Sequence, residues 1–86
     1  MNNENIINKI NMSNQNIIDY IKYSSNRICS DLKYMSIVNS KLYIKAYIKE
    51  NNFNIPEISV ELLSIDIIQL KKFIRLSKLK HMLYDN

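Results

Sequence analysis

Glycine and tryptophan are absent from this chain, which has one proline, Pro56, and one cysteine, Cys29. Without glycine, backbone positions that need positive φ must be filled by Asn or Asp, and β-hairpins with an Asn-Gly turn are excluded. This scarcity of turn residues favours helices over strands. A single cysteine also excludes an internal disulfide, and a lone thiol on an apolar helix face is usually buried in the core.

Long apolar segments are missing as well. No run approaches the roughly 18 apolar residues of a membrane span, and residues 1–16 are polar and lack the apolar core of a signal peptide. We therefore expect no membrane partner, and with a single thiol we expect a cytoplasmic, reducing location. Asn, Ile, Lys and Tyr dominate and are specified by AT-rich codons. This bias is compatible with a low-GC bacterium, its phage, or an AT-rich eukaryote or virus, so the intracellular location can also be the host cell of a phage or virus.

The 86 residues suffice for one domain with a small core, and a domain of this size gains stability from a partner. A homodimer, or a complex with another protein, is therefore expected. The formal charge is +4 with a pI of about 9.2. Basic residues are concentrated near the C-terminus, where Lys71, Lys72, Arg75, Lys78 and Lys80 fall within ten residues.

Two parts of the chain differ in composition. Residues 1–12 are rich in Asn and are expected to form a flexible N-terminal segment, or a short helix that carries three isoleucines. Residues 13–86 are expected to form a single helical domain. Apolar residues recur there mostly at spacings of three or four, and strict alternation occurs only briefly, at residues 58–60.

The apolar spacing predicts successive helices in this domain. Ser13 is suited to cap a helix that ends near Ser24 and Ser25. Predicted helices over 26–38 and 41–50 follow, with Asn39 and Ser40 as a break and a new cap between them. After a short helix over 56–63, the segment from Ser64 to Asp66 can break the chain and cap a longer helix over 67–83. The predicted fold is all-α, a small bundle of four to five helices. One continuous helix from Pro56 to Tyr84 is the alternative, because nothing in residues 63–66 is a strong helix breaker.

Residues 44–75 resemble the helix-turn-helix domains of bacterial and phage regulators. The matching segments are Tyr47–Asn52, Pro56-Glu57, Glu61–Asp66 and Leu70–Phe73. The resemblance implies a helix-turn-helix at 56–75, whose second helix enters the major groove while its inner face packs on the first.

This interpretation predicts a small DNA-binding regulatory protein. The predicted contacts to phosphates and base edges come from Gln69, Lys71, Lys72, Arg75, Lys78 and Lys80. Dimerisation would allow two such modules to bind two half-sites.

A second hypothesis is a non-enzymatic helical interaction module that docks tyrosine and isoleucine side chains into a protein partner, as a viral or phage accessory protein, an inhibitor or a small subunit. A third is an amphipathic helix on a membrane surface, over residues 71–84. Catalysis is not expected, because no pair of nucleophile and base and no glycine-rich phosphate loop is present. No cofactor is expected, and His81 with Cys29 cannot supply the four ligands of a zinc site.

Overall fold

A computed structural model describes residues 3–10, 12–51, 54 and 57–84, with the side chains of residues 3–5 and 80–84 left out. The elements follow in the order α1 (Asn3–Ile10), α2 (Asn14–Ser25), β1 (Arg27–Val38), β2 (Lys41–Glu50), β3 (Ile58–Asp66) and α3 (Ile67–Tyr84). The protein therefore has an α+β fold, and the predicted all-α bundle is wrong. The segments predicted as helices over 26–38, 41–50 and 56–63 are instead the three strands, as far as the structure describes them.

The three strands form one antiparallel sheet in the order β1-β2-β3, so β2 is central and the other two strands are edges. Val38 lies opposite Lys41, and only Asn39 and Ser40 connect β1 to β2. Their φ angles are 50° and 65°. Positive φ at both central residues is what a type I′ turn requires. The hairpin thus forms without glycine, and the expectation that glycine's absence favours helices over strands fails at this turn.

Alternation along β2 separates the two faces of the sheet. Leu42, Ile44, Ala46 and Ile48 are buried, and they define what we call the covered face. The residues between them point to the opposite side, which we call the open face. The period is two, as a half-buried strand requires.

The core lies between the covered face and the helices. Its helical members include Ile17 and Ile21 of α2 and Leu70 of α3, all with at most 2% of their surface exposed. Ile6 and Ile10 of α1 belong to the same cluster. Helix α1 lies within the Asn-rich N-terminal residues and closes one side of this core.

Strand β1 is irregular. The register with β2 shifts between Cys29 and Asp31 and again between Lys33 and Ser36. Each bulge adds a residue to one strand, so the buried residues of β1, Cys29, Leu32 and Met35, are three apart. A spacing of three imitates a helix, and the physical cause here is the pair of bulges.

Two helix starts are capped as the sequence predicts. The Ser13 hydroxyl accepts a hydrogen bond from the Asn16 N–H at 3.3 Å at the start of α2. The Asp66 carboxylate accepts hydrogen bonds from the N–H groups of Ile68 and Gln69, at 2.8 and 3.2 Å, at the start of α3. These bonds satisfy N–H groups that have no partner inside a helix. The prediction of a new helix from Ile67 to about Leu83 is confirmed.

The helix-turn-helix at 56–75 is not formed. Residues 58–66 are paired with β2 along their whole length, in a register that runs without interruption from Ile58 opposite Lys49 to Asp66 opposite Lys41. A strand therefore precedes α3 where the motif needs a helix, and the alternative of one helix from 56 to 84 is wrong for the same reason. The predicted helix start at Pro56 lies outside the described residues. None of the described helices is long and apolar enough to cross a lipid bilayer.

Candidate nucleic-acid interface

Lysine and tyrosine alternate along the central strand on the open face. Every second residue of β2 points to this side, and the five residues concerned are Lys41, Tyr43, Lys45, Tyr47 and Lys49. We call them the lysine–tyrosine column. Residues two apart on one face of a strand are about 7 Å from each other. Positive charges and aromatic rings therefore alternate at a fixed spacing across the middle of the sheet.

Two lysines of this column have no carboxylate opposite them. Lys45 lies between Lys33 on β1 and Leu62 on β3, and Lys49 lies between two isoleucines. In the described part of the chain neither lysine forms an ion pair. Like charges directly opposite each other destabilise a sheet. The repulsion between Lys33 and Lys45 therefore opposes the pairing of β1 with β2 at this position.

The other lysines of the open face are partly neutralised. Lys41 lies opposite Asp66, and the Lys33 ammonium is 3.4 Å from the Asp31 carboxylate. The strands place four lysines (33, 41, 45 and 49) and two aspartates (31 and 66) on the open face, which leaves an excess of two positive charges there. The excess lies at the middle and at one end of the column.

The second bulge of β1 presents an additional aromatic ring on the open face. Tyr34 has a φ of 52° and 75% of its surface is exposed. A bulky side chain with positive φ is an outlier, and such strain is found mainly at functional positions. The Lys45 ammonium lies 5.2 Å from the centre of the Tyr34 ring, within the range of a cation–π contact. The bulge therefore aims Tyr34 toward the charged middle of the column.

A hollow of about 320 Å³ lies beside these two residues. Its walls are the Tyr34 and Tyr43 rings, the aliphatic chain of Leu62, and Ser64 with its neighbours in β2 and β3. The hollow is thus bounded by two aromatic rings, and Lys45 lies next to it. Such a site can receive a flat ring between aromatic side chains while its substituent anion meets a lysine.

Strand β3 contributes aliphatic side chains to the open face. Ile58, Val60 and Leu62 have 57%, 50% and 84% of their surface exposed. Ser64 and Asp66 complete the face along this strand. The open face is therefore polar and aromatic in the middle and aliphatic along one edge.

The carboxylate of Glu61 is kept on the covered face. Glu61 accepts a hydrogen bond from the guanidinium of Arg27, which also lies 4.0 Å from Glu50. The small Ala46 side chain lies opposite Glu61 in the register. This pairing holds an acidic group away from the lysine–tyrosine column.

The cysteine of the covered face is buried, as predicted. Burial raises the pKa of the Cys29 thiol, and the Asp31 charge adds to this, while hydrogen bonds with backbone groups of Asp31 and Tyr47 act in the opposite direction. A thiol with a raised pKa is a weak nucleophile at neutral pH. Within the described residues, no three His, Cys, Asp or Glu side chains lie close enough together to hold a metal ion.

The nucleic-acid-binding residues predicted from the sequence lie on α3, away from the lysine–tyrosine column. Among them Gln69, Lys71, Lys72, Arg75 and Lys78 are exposed. Lys80 is in the same helix, and its side chain lies outside the described part of the structure. The helix packs through Leu70 into the core and through Phe73 against Tyr20 and Tyr23, with ring centres 5.4 and 4.8 Å apart. Its basic residues therefore form a second positive surface on the helical side of the molecule.

No protein-family model, curated protein or solved structure matches this chain. Its function must therefore be inferred from its own surfaces. Sequence reasoning missed the lysine–tyrosine column, although the signal was present. Residues 41–49 read Lys-Leu-Tyr-Ile-Lys-Ala-Tyr-Ile-Lys, and this alternates strictly once tyrosine is counted with the polar residues.

Proposed function

We propose that this protein binds single-stranded nucleic acid on the open face of its sheet. The observation that carries the proposal is the alternation of lysines with tyrosines on the central strand, in which two of the three lysines have no carboxylate opposite them. Proteins that bind single strands combine a positive groove along the backbone with aromatic side chains on which bases stack. Both components occur here on one surface.

The lysines supply the contacts to phosphates. Lys45 and Lys49 have no carboxylate opposite them, so binding a phosphate does not require an ion pair to be broken. Phosphate binding also offsets the repulsion between Lys45 and Lys33. Each lysine that neutralises a phosphate of a single strand releases counterions, and it steepens the dependence of affinity on salt by about 0.7 in a log–log plot.

The tyrosines supply the contacts to bases. Tyr34 and Tyr43 bound the hollow beside Lys45, and we propose that one base enters this hollow and stacks on their rings. Stacking of a base on an aromatic side chain contributes roughly 1–3 kcal/mol. Because any base has a π-face, we expect little dependence on sequence. Double-stranded DNA keeps its bases stacked within the duplex and is expected to bind more weakly.

The lysine contribution is tested by two double variants with the same change in charge. Lys45→Gln with Lys49→Gln removes two charges from the column, and Lys71→Gln with Lys78→Gln removes two from α3. Binding to a labelled oligothymidine of about ten nucleotides is measured by fluorescence anisotropy over a salt series. The column variant should bind more weakly, with a salt slope flatter by about 1.4. The α3 variant should stay close to the wild type.

Equal losses in the two variants would mean that the charge acts without a defined site. A larger loss in the α3 variant would contradict the sheet interface and favour the surface predicted from the sequence. The stacking contribution is tested by Tyr34→Leu and Tyr43→Leu, with Tyr23→Leu on α2 as the matched control. Each of the first two variants should lower the affinity by about fivefold or more, while the salt slope is unchanged because no phosphate contact is lost.

A protein partner is the second candidate function, and one observation favours it. The exposed aliphatic residues of β3 form a continuous row along an unpaired sheet edge, and rows of this kind usually mark contacts with other chains. The sheet contradicts the all-helical fold expected of the interaction module, whereas contact with a protein partner stays a prediction. Contact through β3 leaves the lysine–tyrosine column accessible, so both functions can coexist in an intracellular protein.

A further inference from the structure

The two edge strands of the sheet differ in how well they are protected against pairing with a further strand. Strand β1 has two bulges and a left-handed residue, Tyr34, and such irregularities prevent another strand from pairing with it. Strand β3 is nine residues long, pairs with β2 without a register shift, and contains neither lysine nor proline. The β3 edge therefore lacks the bulges, lysines and prolines that normally prevent association, and its one inward-pointing charge, Glu61, is neutralised by Arg27.

The free backbone groups of β3 can be identified from the ladder. The Ile67 N–H donates to the Ser40 carbonyl at 3.0 Å, at the point where β3 passes into α3. Hydrogen-bonded and non-hydrogen-bonded pairs alternate in an antiparallel ladder. The odd-numbered residues of β3 thus bond to β2. The N–H and C=O groups of Val60, Leu62 and Ser64 point away from the sheet.

We propose that β3 pairs with β3 of a second copy of this chain. A two-fold axis through Leu62 makes the strands antiparallel and matches all nine residues. Leu62 then faces Leu62 of the partner, Val60 faces Ser64, and Ile58 faces Asp66. The two sheets join into one of six strands, and both open faces lie on the same side.

Length and charge together favour this register, because it alone pairs all nine residues and it keeps both carboxylates of the strand opposite apolar residues. With the axis at Leu62, Glu61 faces an apolar residue, Leu63 of the second copy. Moving the axis to Glu61 would place two carboxylates directly opposite each other, which is destabilising. Moving it to Val60 would leave the end of the strand near Asp66 unpaired. The strand is therefore complementary to itself in one full-length register.

The size of this interface sets its expected strength. It consists of one strand from each copy with three exposed aliphatic side chains, so it belongs among the small interfaces and we expect a dissociation constant in the micromolar range, roughly 1–100 µM. Three strand spacings separate the two lysine–tyrosine columns of the dimer, a distance of about 14 Å. The dimer would present two such columns on one continuous surface.

Two valine variants test the proposal. Val60 on β3 and Val38 on β1 both belong to the open face, with 50% and 52% of their surface exposed. Sedimentation equilibrium is measured without nucleic acid from roughly 1 to 100 µM, the range that brackets the expected constant. The wild type and Val38→Lys should dimerise, while Val60→Lys should raise the dissociation constant at least tenfold. A wild type that is monomeric throughout would overturn the proposal, and so would a loss of dimer in Val38→Lys alone.

The register is tested by oxidation of Leu62→Cys in a Cys29→Ala background. Facing residues of a hydrogen-bonded antiparallel pair have Cα atoms about 5.5 Å apart, a distance that a disulfide spans. We expect rapid formation of a disulfide-linked dimer. Val60→Cys in the same background should form it much more slowly, because Val60 faces Ser64. Equal rates for the two variants would contradict pairing about Leu62. The outcome does not depend on nucleic-acid binding, so the two proposals can fail separately.

Discussion

Replacing Tyr34 by glycine should make the protein more stable than replacing it by alanine. Both substitutions remove the ring and its contact with Lys45, so they differ only in the backbone. At a φ of 52° a residue with a Cβ costs roughly 1–2 kcal/mol more than glycine, because the Cβ approaches the following carbonyl. In the unfolded chain glycine has more conformational freedom than alanine, and this lowers the stability of the glycine variant by roughly 0.5–1 kcal/mol.

The matched position is Tyr43, a residue of the same type in β2 that lies outside the left-handed region. There only the entropic effect operates, so the glycine variant should be less stable than the alanine variant by roughly 0.5–1 kcal/mol. The preference for glycine over alanine should therefore change sign between positions 34 and 43. Because the entropic effect is common to both positions, the difference between the two comparisons isolates the left-handed backbone at roughly 1–2 kcal/mol.

Urea denaturation followed by far-UV circular dichroism measures these differences, at one fixed protein concentration because a dimer would make the midpoint concentration-dependent. With a slope near 1 kcal/mol per molar urea, the expected double difference corresponds to about 1 M or more in the midpoint. A double difference near zero between positions 34 and 43 would refute the left-handed conformation of Tyr34. It would also remove the argument that the bulge places strain at the interface.

Three further outcomes are expected. Ile44→Ala removes a side chain that is 1% exposed on the central strand, and it should lower the free energy of unfolding by roughly 2–5 kcal/mol in urea denaturation; a loss below about 1 kcal/mol would contradict this burial. Ser13→Ala removes the N-cap of α2 and should cost about 1 kcal/mol, whereas Ser24→Ala at the other end of the helix should cost less. The raised pKa of Cys29 means that the unfolded chain loses its thiol proton first. The contribution of this thiol to stability should therefore be constant below the ordinary thiol pKa and should be lost as the pH rises from there through the raised pKa. Cys29→Ala should abolish this part of the pH dependence, and a variant with an unchanged profile would count against the burial.

The sequence predicted the elements whose ends are marked by caps. Ser13 and Asp66 identified the starts of α2 and α3 because a side-chain oxygen is needed there wherever the helix is placed. The ends of the strands carry no comparable mark. The turn at Asn39 and Ser40 was recognised as a break, yet without glycine it gave no indication of a hairpin.

The strands were predicted as helices for two different physical reasons. In β2, Tyr43 and Tyr47 were counted as apolar, which hid the alternation and made the segment look apolar on several sides. In β1, bulges brought the buried residues to a spacing of three, and this spacing is indistinguishable from a helix when only the sequence is known. Pairing between strands is a property of the whole fold, so local spacing could not reveal it.

The candidate site was mislocated as a consequence. The basic residues of α3 were found because five of them fall within ten residues. The lysines of β2 are dispersed among apolar residues, and the acidic residues Glu50, Glu57, Glu61 and Asp66 that follow them in the sequence made the segment look balanced in charge. The pairing of the strands places Glu61 on the covered face and Lys45 on the open face, and this separation cannot be read from the sequence. The contribution of Tyr34 depends on a single left-handed residue, and tyrosine in general gives no indication of that conformation.

The order of the strands has a consequence for the way the chain acquires its structure. Each strand pairs with its neighbour in sequence, so the loops that close the sheet are short and their entropic cost is low. Proteins dominated by such local pairings fold quickly for their size. During synthesis Asp66 leaves the ribosome before the residues of α3 do, so the three strands can pair before α3 packs against them. Ile67 and Leu70 would then complete the core last, and the covered face would stay partly exposed to chaperones until they do.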